Sequence, residues 1–261
     1  MKKNKYFLVD YHTHPYAHGR REVTLSYLKQ FIDQAQKNNI QELGFSDHDI
    51  YLDQINWSYL KKIKKTGPIS VKLGLEIGYR PGKEQVYGKM REKYNLDFLI
   101  GSVHFIKDWN FDHPAYREEF KKREINQVYQ DYFDLLIQAF NTELFDIVGH
   151  LDLIKVFGYF PKKKTLLDFV RPVLDVIKKN DMVVEINTNG VNKPVNEIYP
   201  AREVIKKMYQ LDIPVTLASD AHAPDRVGAG LKEAAALLEE IGYRQIAVLN
   251  NGNIEMKNLL L

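Results

Sequence analysis

The chain has 261 residues, of which 44% are hydrophobic and 27% charged, the balance of an ordinary globular protein. Its 37 basic and 34 acidic residues give a formal charge of +3, so we expect no nucleic acid as a partner. The absence of cysteine excludes disulfides, thiolate nucleophiles and zinc sites with cysteine ligands. This length fits one domain of the α/β-barrel class, and we expect residues 1–261 to form a single domain.

The amino terminus resembles the start of a signal peptide only briefly. Its basic residues are followed by an apolar run that stops at Asp10, which is too short for the hydrophobic region of such a peptide. No run in the sequence approaches transmembrane length. We therefore expect a cytoplasmic location and no membrane partner.

Along the chain, apolar runs of strand length alternate with stretches that place apolar residues at helical spacing. The predicted strands are Tyr6–Tyr11, Gln41–Ser46, Ile69–Leu75, Asp97–Val103, Phe145–Gly149, Met182–Ile186 and Pro214–Ala218, with a last short strand at Ile246–Asn250. The predicted helices are Val23–Asn38, a long helix from about Pro114 to Asn141, Leu166–Lys179, Ala201–Leu211 and Leu231–Ile241. This alternation predicts parallel β/α units, and seven largely apolar strands predict a barrel that is buried on both faces.

Side chains that can bind metals come directly after these strands. His12 and His14 end the first strand, His48 follows the second, Glu76 ends the third, His104 the fourth and His150 the fifth, and Asp220 and His222 follow the seventh. An open doubly wound sheet would usually have a glycine-rich phosphate loop after its first strand, and this sequence has none there. In a β/α barrel all these positions lie on one rim, where catalytic residues are found. The sequence therefore predicts a metal centre on that rim.

The spacing of the histidines supports this interpretation. His12 and His14 are two residues apart on a strand, so both imidazoles point the same way and can reach one ion. Asp220 and His222 repeat the spacing with one oxygen and one nitrogen ligand. Glu76 could simply point to solvent beyond its strand, but a carboxylate among imidazoles is better explained as a bridge between two cations.

Other polar residues near the histidines are weaker candidates. His18 lies in a loop before Gly19 and is interpreted as a ligand, with an exposed loop histidine as the alternative. Four aspartates close to a histidine could orient a ligand by hydrogen bonding: Asp10, Asp47, Asp49 and Asp152. His113 precedes a proline, and we interpret it as a turn residue outside the metal set.

Six segments of the chain together resemble the PHP (polymerase and histidinol phosphatase) superfamily. They are Asp10-Tyr11-His12-Thr13-His14, Ser46-Asp47-His48, Gly74-Leu75-Glu76, Gly101-Ser102-Val103-His104, Gly149-His150-Leu151-Asp152 and Ala218-Ser219-Asp220-Ala221-His222. They occur in the family's order and extend from Asp10 to about Gly228. The resemblance implies a distorted (β/α)7 barrel of the PHP type, and a single catalytic domain.

The resemblance also implies two to three divalent transition metals, with Zn, Mn and Fe as the ions that suit mixed imidazole and carboxylate ligands. One ion would be held by His12, His14, Glu76 and Asp220. A second would be held by Glu76, His104 and His150, with Glu76 as the bridge. A third would be held by His18, His48 and His222.

Within the superfamily the chain is most similar to histidinol-phosphate phosphatases, which implies a small phosphorylated substrate, L-histidinol phosphate, and a role in histidine biosynthesis. The softer motifs that favour this branch are the stretch from His104 to Pro114 and the segment Glu185-Ile186-Asn187-Thr188-Asn189-Gly190. We expect a hydroxide bridging the two metals that share Glu76 to attack phosphorus, with His222 or Asp220 supplying a proton to the leaving oxygen.

Phosphate also needs donors beyond the metals. Arg226 and Lys155 are predicted to bind it, with Lys193, Arg20 and Arg21 as further candidates. Asn187 and Asn189, after the sixth strand, are predicted to bind the imidazole of the substrate.

Other functions remain open at this point. A protein-tyrosine phosphatase, a nucleotide phosphatase or a small exonuclease would use the same ligands, although the exonuclease is disfavoured by the modest charge. A metal-stabilised regulatory module without turnover is an alternative of another class, and structural sites of that kind have no open coordination position. Scattered histidines that bind no metal are the third alternative.

Overall fold

A computed structural model of the chain describes residues 5–16, 22–250 and 253–261. In chain order, the strands of these residues are β1 (Leu8–Asp10), β2 (Ile40–Phe45), β3 (Ser70–Gly78), β4 (Phe98–Ser102), β5 (Phe105–Ile106), β6 (Trp109–Asn110), β7 (Ile147–Val148), β8 (Val183–Asn187), β9 (Val215–Ala218), β10 (Gln245–Asn250) and β11 (Asn253–Asn258). Seven of them pair in parallel in the order β1-β2-β3-β4-β7-β8-β9. The predicted parallel β/α architecture is thus confirmed.

Helices follow most of these strands and pack on the outside of the sheet. They are α1 (Leu25–Lys37), α2 (Trp57–Thr66), α3 (Glu84–Tyr94), α4 (Ile125–Phe140), α5 (Leu166–Lys179), α6 (Arg202–Gln210) and α7 (Leu231–Ile241). Each of them buries apolar residues along one side, which is the pattern of helices that cover a sheet. The seven parallel strands are largely buried because both faces of their sheet are covered.

The sheet nearly closes into a barrel where its two edge strands meet. The backbone N–H of Tyr11, just after β1, donates to the carbonyl of Leu217 on β9 at 3.3 Å. Beyond the strand ends, His14 N–H donates to the carbonyl of Ala221 at 2.8 Å. This closure brings the residues that follow β1 next to those that follow β9.

One predicted helix is wrong. The stretch from Pro114 to Asn141 contains two elements, a 3₁₀ segment Pro114–Lys122 and the α-helix α4. Arg123, between them, has an extended backbone, and the side chain of Glu124 accepts a hydrogen bond from Gln127 N–H at 2.9 Å. Because an N-cap residue is not helical itself, this capping interaction fixes the start of α4 and separates it from the preceding segment.

Five strands and helices of the described residues were not predicted: the strands β5, β6 and β11 and the helices α2 and α3. Helix α2 buries only Leu60 and Ile63 and helix α3 only Tyr87 and Met90, so charged residues conceal their helical pattern. The predicted last strand pairs with β11 in an antiparallel hairpin.

No helix in the described part of the chain is long and apolar enough to cross a membrane. The cytoplasmic location remains a prediction.

Candidate metal centre

The predicted ligands lie together at the carboxyl ends of the parallel strands. His12 and His14 follow β1, Glu76 lies near the end of β3, and His150 follows β7. Eight of the nine predicted ligands belong to groups whose donor atoms lie within 4.8 Å of one another. The ninth, His18, lies outside the described residues.

The carboxylate of Glu76 occupies the middle of this cluster and contacts five imidazoles. Its Oε1 lies 2.8 Å from His150 Nε2 and 3.0 Å from His104 Nε2. Its Oε2 lies 2.6 Å from His48 Nδ1, 3.4 Å from His12 Nε2 and 3.7 Å from His14 Nε2. The two oxygens of Glu76 therefore face two different sets of histidines, as a ligand bridging two ions would.

Asp220 and His222 border the cluster on the side of β9. The Oδ1 atom of Asp220 lies 3.2 Å from His14 Nε2. Nδ1 of His222 lies 3.0 Å from the backbone carbonyl of Asp220, and the His222 ring is 4.4 Å from the His14 ring. Asp220 has a positive φ of 52°, a conformation that Asp adopts more readily than most residues. This turn directs both side chains of the Asp-x-His motif toward His14.

The donor atoms fit divalent cations. Four groups each offer three donors: His12, Glu76 and His150; His48, Glu76 and His104; His12, His14 and Asp220; and His14, His48 and His222. Two ligands of one tetrahedral zinc lie about 3.4 Å apart, close to the separations found here. Moreover, within the described residues the buried atoms His12 Nε2 and His14 Nε2, which face the cluster, make no hydrogen bond. Because unpaired buried nitrogens are costly, cations that share these donors explain the arrangement.

The electrostatics of the cluster differ among its donors. Burial lowers the pKa of His12 and of His104, but the carboxylates beside them, Glu185 and Glu76 for His12 and Glu76 and Asp112 for His104, raise both pKa values well above the usual value, so a cation must displace a proton from these rings. Burial opposes ionisation of Glu76, but the surrounding imidazoles, His48 foremost, hold its pKa well below the usual value. Burial, together with the neighbouring rings of His48 and His222, holds the pKa of His14 well below its usual value. At neutral pH the carboxylate is therefore charged and the His14 ring neutral, as ligands must be.

Two carboxylates that were not predicted to act here orient histidine ligands. Glu185 on β8 lies 2.8 Å from Nδ1 of His12, and Asp112 lies 2.9 Å from Nδ1 of His104. Because Nδ1 of each histidine is held by a carboxylate, its Nε2 is directed at Glu76. Fixing the ring orientation in this way is the usual role of a carboxylate behind a metal-binding histidine. A single carboxylate inside the apolar run of β8 was a sequence signal for such a partner, because a buried charge needs one.

The four aspartates predicted to orient ligands have other contacts. Asp47 accepts from Tyr16 N–H at 2.9 Å, and Asp49 accepts from Gly78 N–H at 3.1 Å. Asp10 accepts from Ser219 N–H and Gly228 N–H, and Asp152 accepts from Ala201 N–H. Through these contacts they hold loops of the rim in place.

The predicted substrate-binding residues are found in different surroundings. Asn189 Nδ2 donates to Asp220 Oδ2 at 3.1 Å, and Asn187 Nδ2 donates to Glu185 Oε1 at 2.8 Å. Arg226 is exposed on the 3₁₀ segment that follows His222. Arg20 and Arg21 lie outside the described residues.

The surroundings of Lys155 do not support the prediction that this residue binds phosphate. Its side chain is completely buried, and its Nζ lies 2.9 Å from Asp152 Oδ2 and 2.6 Å from Glu197 Oε2. The ammonium group also donates to the carbonyl of Ile198 at 2.9 Å. A cation that is already neutralised and enclosed lacks an accessible face for a phosphate, so we assign Lys155 a structural role.

His113, as expected of a turn residue, accepts from Ala115 N–H at the start of the 3₁₀ segment Pro114–Lys122.

Comparison with known proteins agrees with this geometry. The family model "PHP domain" matches residues 10–189. A "Probable histidinol-phosphatase" of Deinococcus radiodurans is 36% identical over 180 residues, covering 69% of this chain and 68% of that protein. The "Histidinol-phosphatase" of Lactococcus lactis is 22% identical over 263 residues, covering 95% of this chain and 96% of that protein.

A solved structure has the same fold. The crystal structure of histidinol phosphate phosphatase from Lactococcus lactis, complexed with Zn, L-histidinol and phosphate, superposes with a TM-score of 0.71 at 20% sequence identity. The match covers 97% of this chain and 99% of that one. It confirms the fold that the sequence predicted, a nearly closed barrel of seven parallel strands.

Proposed function

The chain belongs to the PHP domain family, and we propose that it is a metal-dependent phosphomonoesterase that hydrolyses L-histidinol phosphate to L-histidinol and phosphate. The observation that carries the phosphoesterase activity is the carboxylate of Glu76 between five imidazole nitrogens. The substrate is supported by the relatives named histidinol-phosphatase and by the Lactococcus lactis structure with Zn, L-histidinol and phosphate. We further propose that residues 1–261 form one catalytic domain.

The centre holds divalent metal, and we propose two to three ions of Zn, Mn or Fe. His12, His14, Glu76 and Asp220 would hold one, Glu76, His104 and His150 the second, and His48 and His222, with His18, the third. When bound, such ions neutralise phosphoryl oxygens and activate water at neutral pH. Glu76 would belong to two of these sites, since each of its oxygens faces a different group of histidines.

The chain closes the cluster on one side and leaves it open on another. The side chains of His12, His14 and Glu76 are at most 1% exposed, whereas those of His222, His48, His104 and Asp220 are 32%, 16%, 15% and 13% exposed. A phosphate ester would therefore approach from the side of these partly exposed residues, of which His222 is the most exposed. This position supports our proposal that Asp220 or His222 relays a proton from water to the leaving alkoxide oxygen.

Residues near this open side are proposed to recognise the substrate. Arg226 follows His222 by four residues and is exposed, so its guanidinium group is available to a phosphate. Asn189 contacts Asp220 and could bond the imidazole of histidinol, whereas the carboxamide nitrogen of Asn187 donates to Glu185. We propose Arg226 and Asn189 as the first residues to test.

The cytoplasmic location and the place in histidine biosynthesis follow from this substrate and are proposed with it.

The proposal is tested by phosphate release from L-histidinol phosphate, after the bound metals have been counted. Tyrosine phosphate, nucleoside monophosphates and an aryl phosphate are measured in parallel, because PHP-type phosphatases for those substrates would use the same ligands. We expect kcat/KM for L-histidinol phosphate to exceed the others by several orders of magnitude. The Arg226→Gln variant should raise KM, while Lys61→Gln, which changes an exposed cation on helix α2, serves as the control. Equal rates on all substrates would refute the substrate assignment, and no turnover with metals bound would indicate a binding module.

A further inference from the structure

Three polar side chains behind the metal ligands form a continuous hydrogen-bonded row. Glu185 and Asn187 lie two residues apart on β8 and therefore point to the same side of the strand. Asn187 Nδ2 donates to Glu185 Oε1 at 2.8 Å, and Asn187 Oδ1 accepts from Asn189 N–H at 3.0 Å. Asn189 in turn donates to Asp220 Oδ2 at 3.1 Å. One end of this row thus reaches a proposed metal ligand.

The other end of the row holds two more ligands. Oε2 of Glu185 lies 2.8 Å from His12 Nδ1, and Oε1 accepts from the backbone N–H of His150 at 2.9 Å. His12 and His150 come from different strands, β1 and β7, and both face Glu76. A single carboxylate on a third strand therefore ties together two ligands that are far apart in sequence.

The environment of Glu185 favours a role in positioning. Glu185 is 1% exposed, and an isolated carboxylate at that depth would be strongly unfavourable. Its hydrogen bonds with His12, His150 and Asn187 compensate for the burial. Because Glu185 accepts a hydrogen bond from Nδ1–H of His12, the neutral ring presents the lone pair of Nε2 to the cluster. Glu185 itself lies on the far side of that ring from Glu76.

We propose that Glu185 is a positioning residue that fixes His12 and His150 together and thereby couples binding at two metal positions. In the proposed sites His12 holds the first ion and His150 the second, and both share a donor group with Glu76. An ion in the first site immobilises His12 and, through Glu185, also His150, so an ion entering the second site meets a ligand that is already ordered. Coupling of this kind is reciprocal and gives positive cooperativity. The inference rests on the metal centre of the proposed function and is independent of its substrate.

The test is a titration of the metal-free protein with Zn²⁺, without phosphate or substrate, followed by calorimetry and elemental analysis. We expect cooperative binding in the wild type. The Glu185→Gln variant should bind about 10–100-fold more weakly, the range for residues that orient metal ligands, and should lose cooperativity. Glu185→Asp, which keeps the charge but shortens the side chain, should fall between the two.

Glu42→Gln is the matched control, because Glu42 accepts a hydrogen bond from the Tyr11 hydroxyl but is not among the metal donors. Circular dichroism establishes that each variant is folded. Unchanged Zn²⁺ affinity and cooperativity in folded Glu185→Gln would overturn the proposal. If that variant does not fold, Asn187→Ala is measured instead, since it removes one hydrogen bond to Glu185 and leaves the carboxylate in place. Unaltered affinity in Asn187→Ala would then overturn the proposal. Failure to hydrolyse L-histidinol phosphate would affect the proposed substrate and not this result.

Discussion

The carboxylate of Asp10, at the end of β1, accepts hydrogen bonds from both the backbone N–H and the hydroxyl of Ser219, which follows β9, at 2.9 and 2.5 Å. The same carboxylate accepts from Gly228 N–H at 2.9 Å. One buried acidic side chain thereby joins the two edge strands of the sheet. It does so immediately before the His-x-His segment on one strand and the Asp-x-His segment on the other. Closure of the barrel and assembly of the metal centre consequently depend on the same contact.

Replacing Asp10 by Ala should reduce stability and disturb the centre together. Each buried N–H donor that is left unpaired costs about 1–3 kcal/mol, and two such donors are released, so we expect a loss of about 3 kcal/mol. Urea unfolding of the metal-free variant measures this loss. Ser58→Ala, which removes an exposed hydroxyl that bonds only locally to Asn56, should change stability little. A metal-free Asp10→Ala variant as stable as the wild type would contradict a closing role for the Asp10 carboxylate.

Removing the metals should lower the melting temperature. Ions that bind the folded cluster and not the unfolded chain stabilise it by about 4 kcal/mol when their concentration is 1,000 times the dissociation constant. For a chain of this size, each kcal/mol corresponds to about 2–4 °C, so chelation should lower Tm by roughly 10 °C. Differential scanning calorimetry before and after chelation, with Zn²⁺ added back, measures the shift. A melting temperature that does not respond to chelation or to added Zn²⁺ would mean that the cluster binds no ion when folded.

Replacing Glu76 by Ala should abolish turnover and lower the number of bound metals. The change removes the only side chain whose oxygens face both groups of histidines in the described structure, so neighbouring imidazoles lose the shared negative charge. Activity and elemental analysis are measured on the same preparation. Glu84→Ala, which changes an acidic residue outside the cluster, is the control. Full activity with full metal occupancy in Glu76→Ala would refute the bridging role.

Lys155→Met should act on stability and leave KM nearly unchanged. Removing one partner of a buried ion pair costs about 3–5 kcal/mol, and here Asp152 is left buried without its cation. Thermal unfolding and steady-state kinetics at a temperature where the variant is folded separate the two effects. Lys61→Met, at an exposed lysine on helix α2, should change neither quantity much. A large rise in KM with normal stability would restore Lys155 as a phosphate ligand.

Substitution by Ala should lower the stability of the protein at Gly149 and raise it at Gly88. A methyl group on Gly149 would collide with Ser102 Oγ and lie 2.9 Å from Ile100 Cγ2, so overpacking should cost about 1–3 kcal/mol and displace the adjacent ligand His150. A methyl group on Gly88, exposed within α3, would lie 3.5 Å from the nearest side chain and should stabilise the helix by about 1 kcal/mol. Unfolding free energies and Zn²⁺ affinities of both variants test this pair. Equal effects of the two substitutions would contradict the packing described at Gly149.

The barrel and most of the candidate centre could be predicted from the sequence alone. Apolar runs predict the parallel strands because both faces of the sheet are buried, and ligands placed directly after those runs must share one rim. His12 and His14 illustrate this, since a two-residue spacing on a strand fixes their common direction. These features depend on local periodicity and on the direction of parallel strands, both of which can be read along the chain.

Only the tertiary structure decided which polar residues support the centre and which stabilise the fold. Glu185 and His12 are 173 positions apart, yet their side chains meet because β8 and β1 contribute to the same barrel. Lys155 resembled a phosphate ligand in sequence, but its partner Glu197 comes from another loop and encloses it. Local spacing cannot specify such pairs, because each depends on how the closed sheet places strands and loops that are distant in sequence.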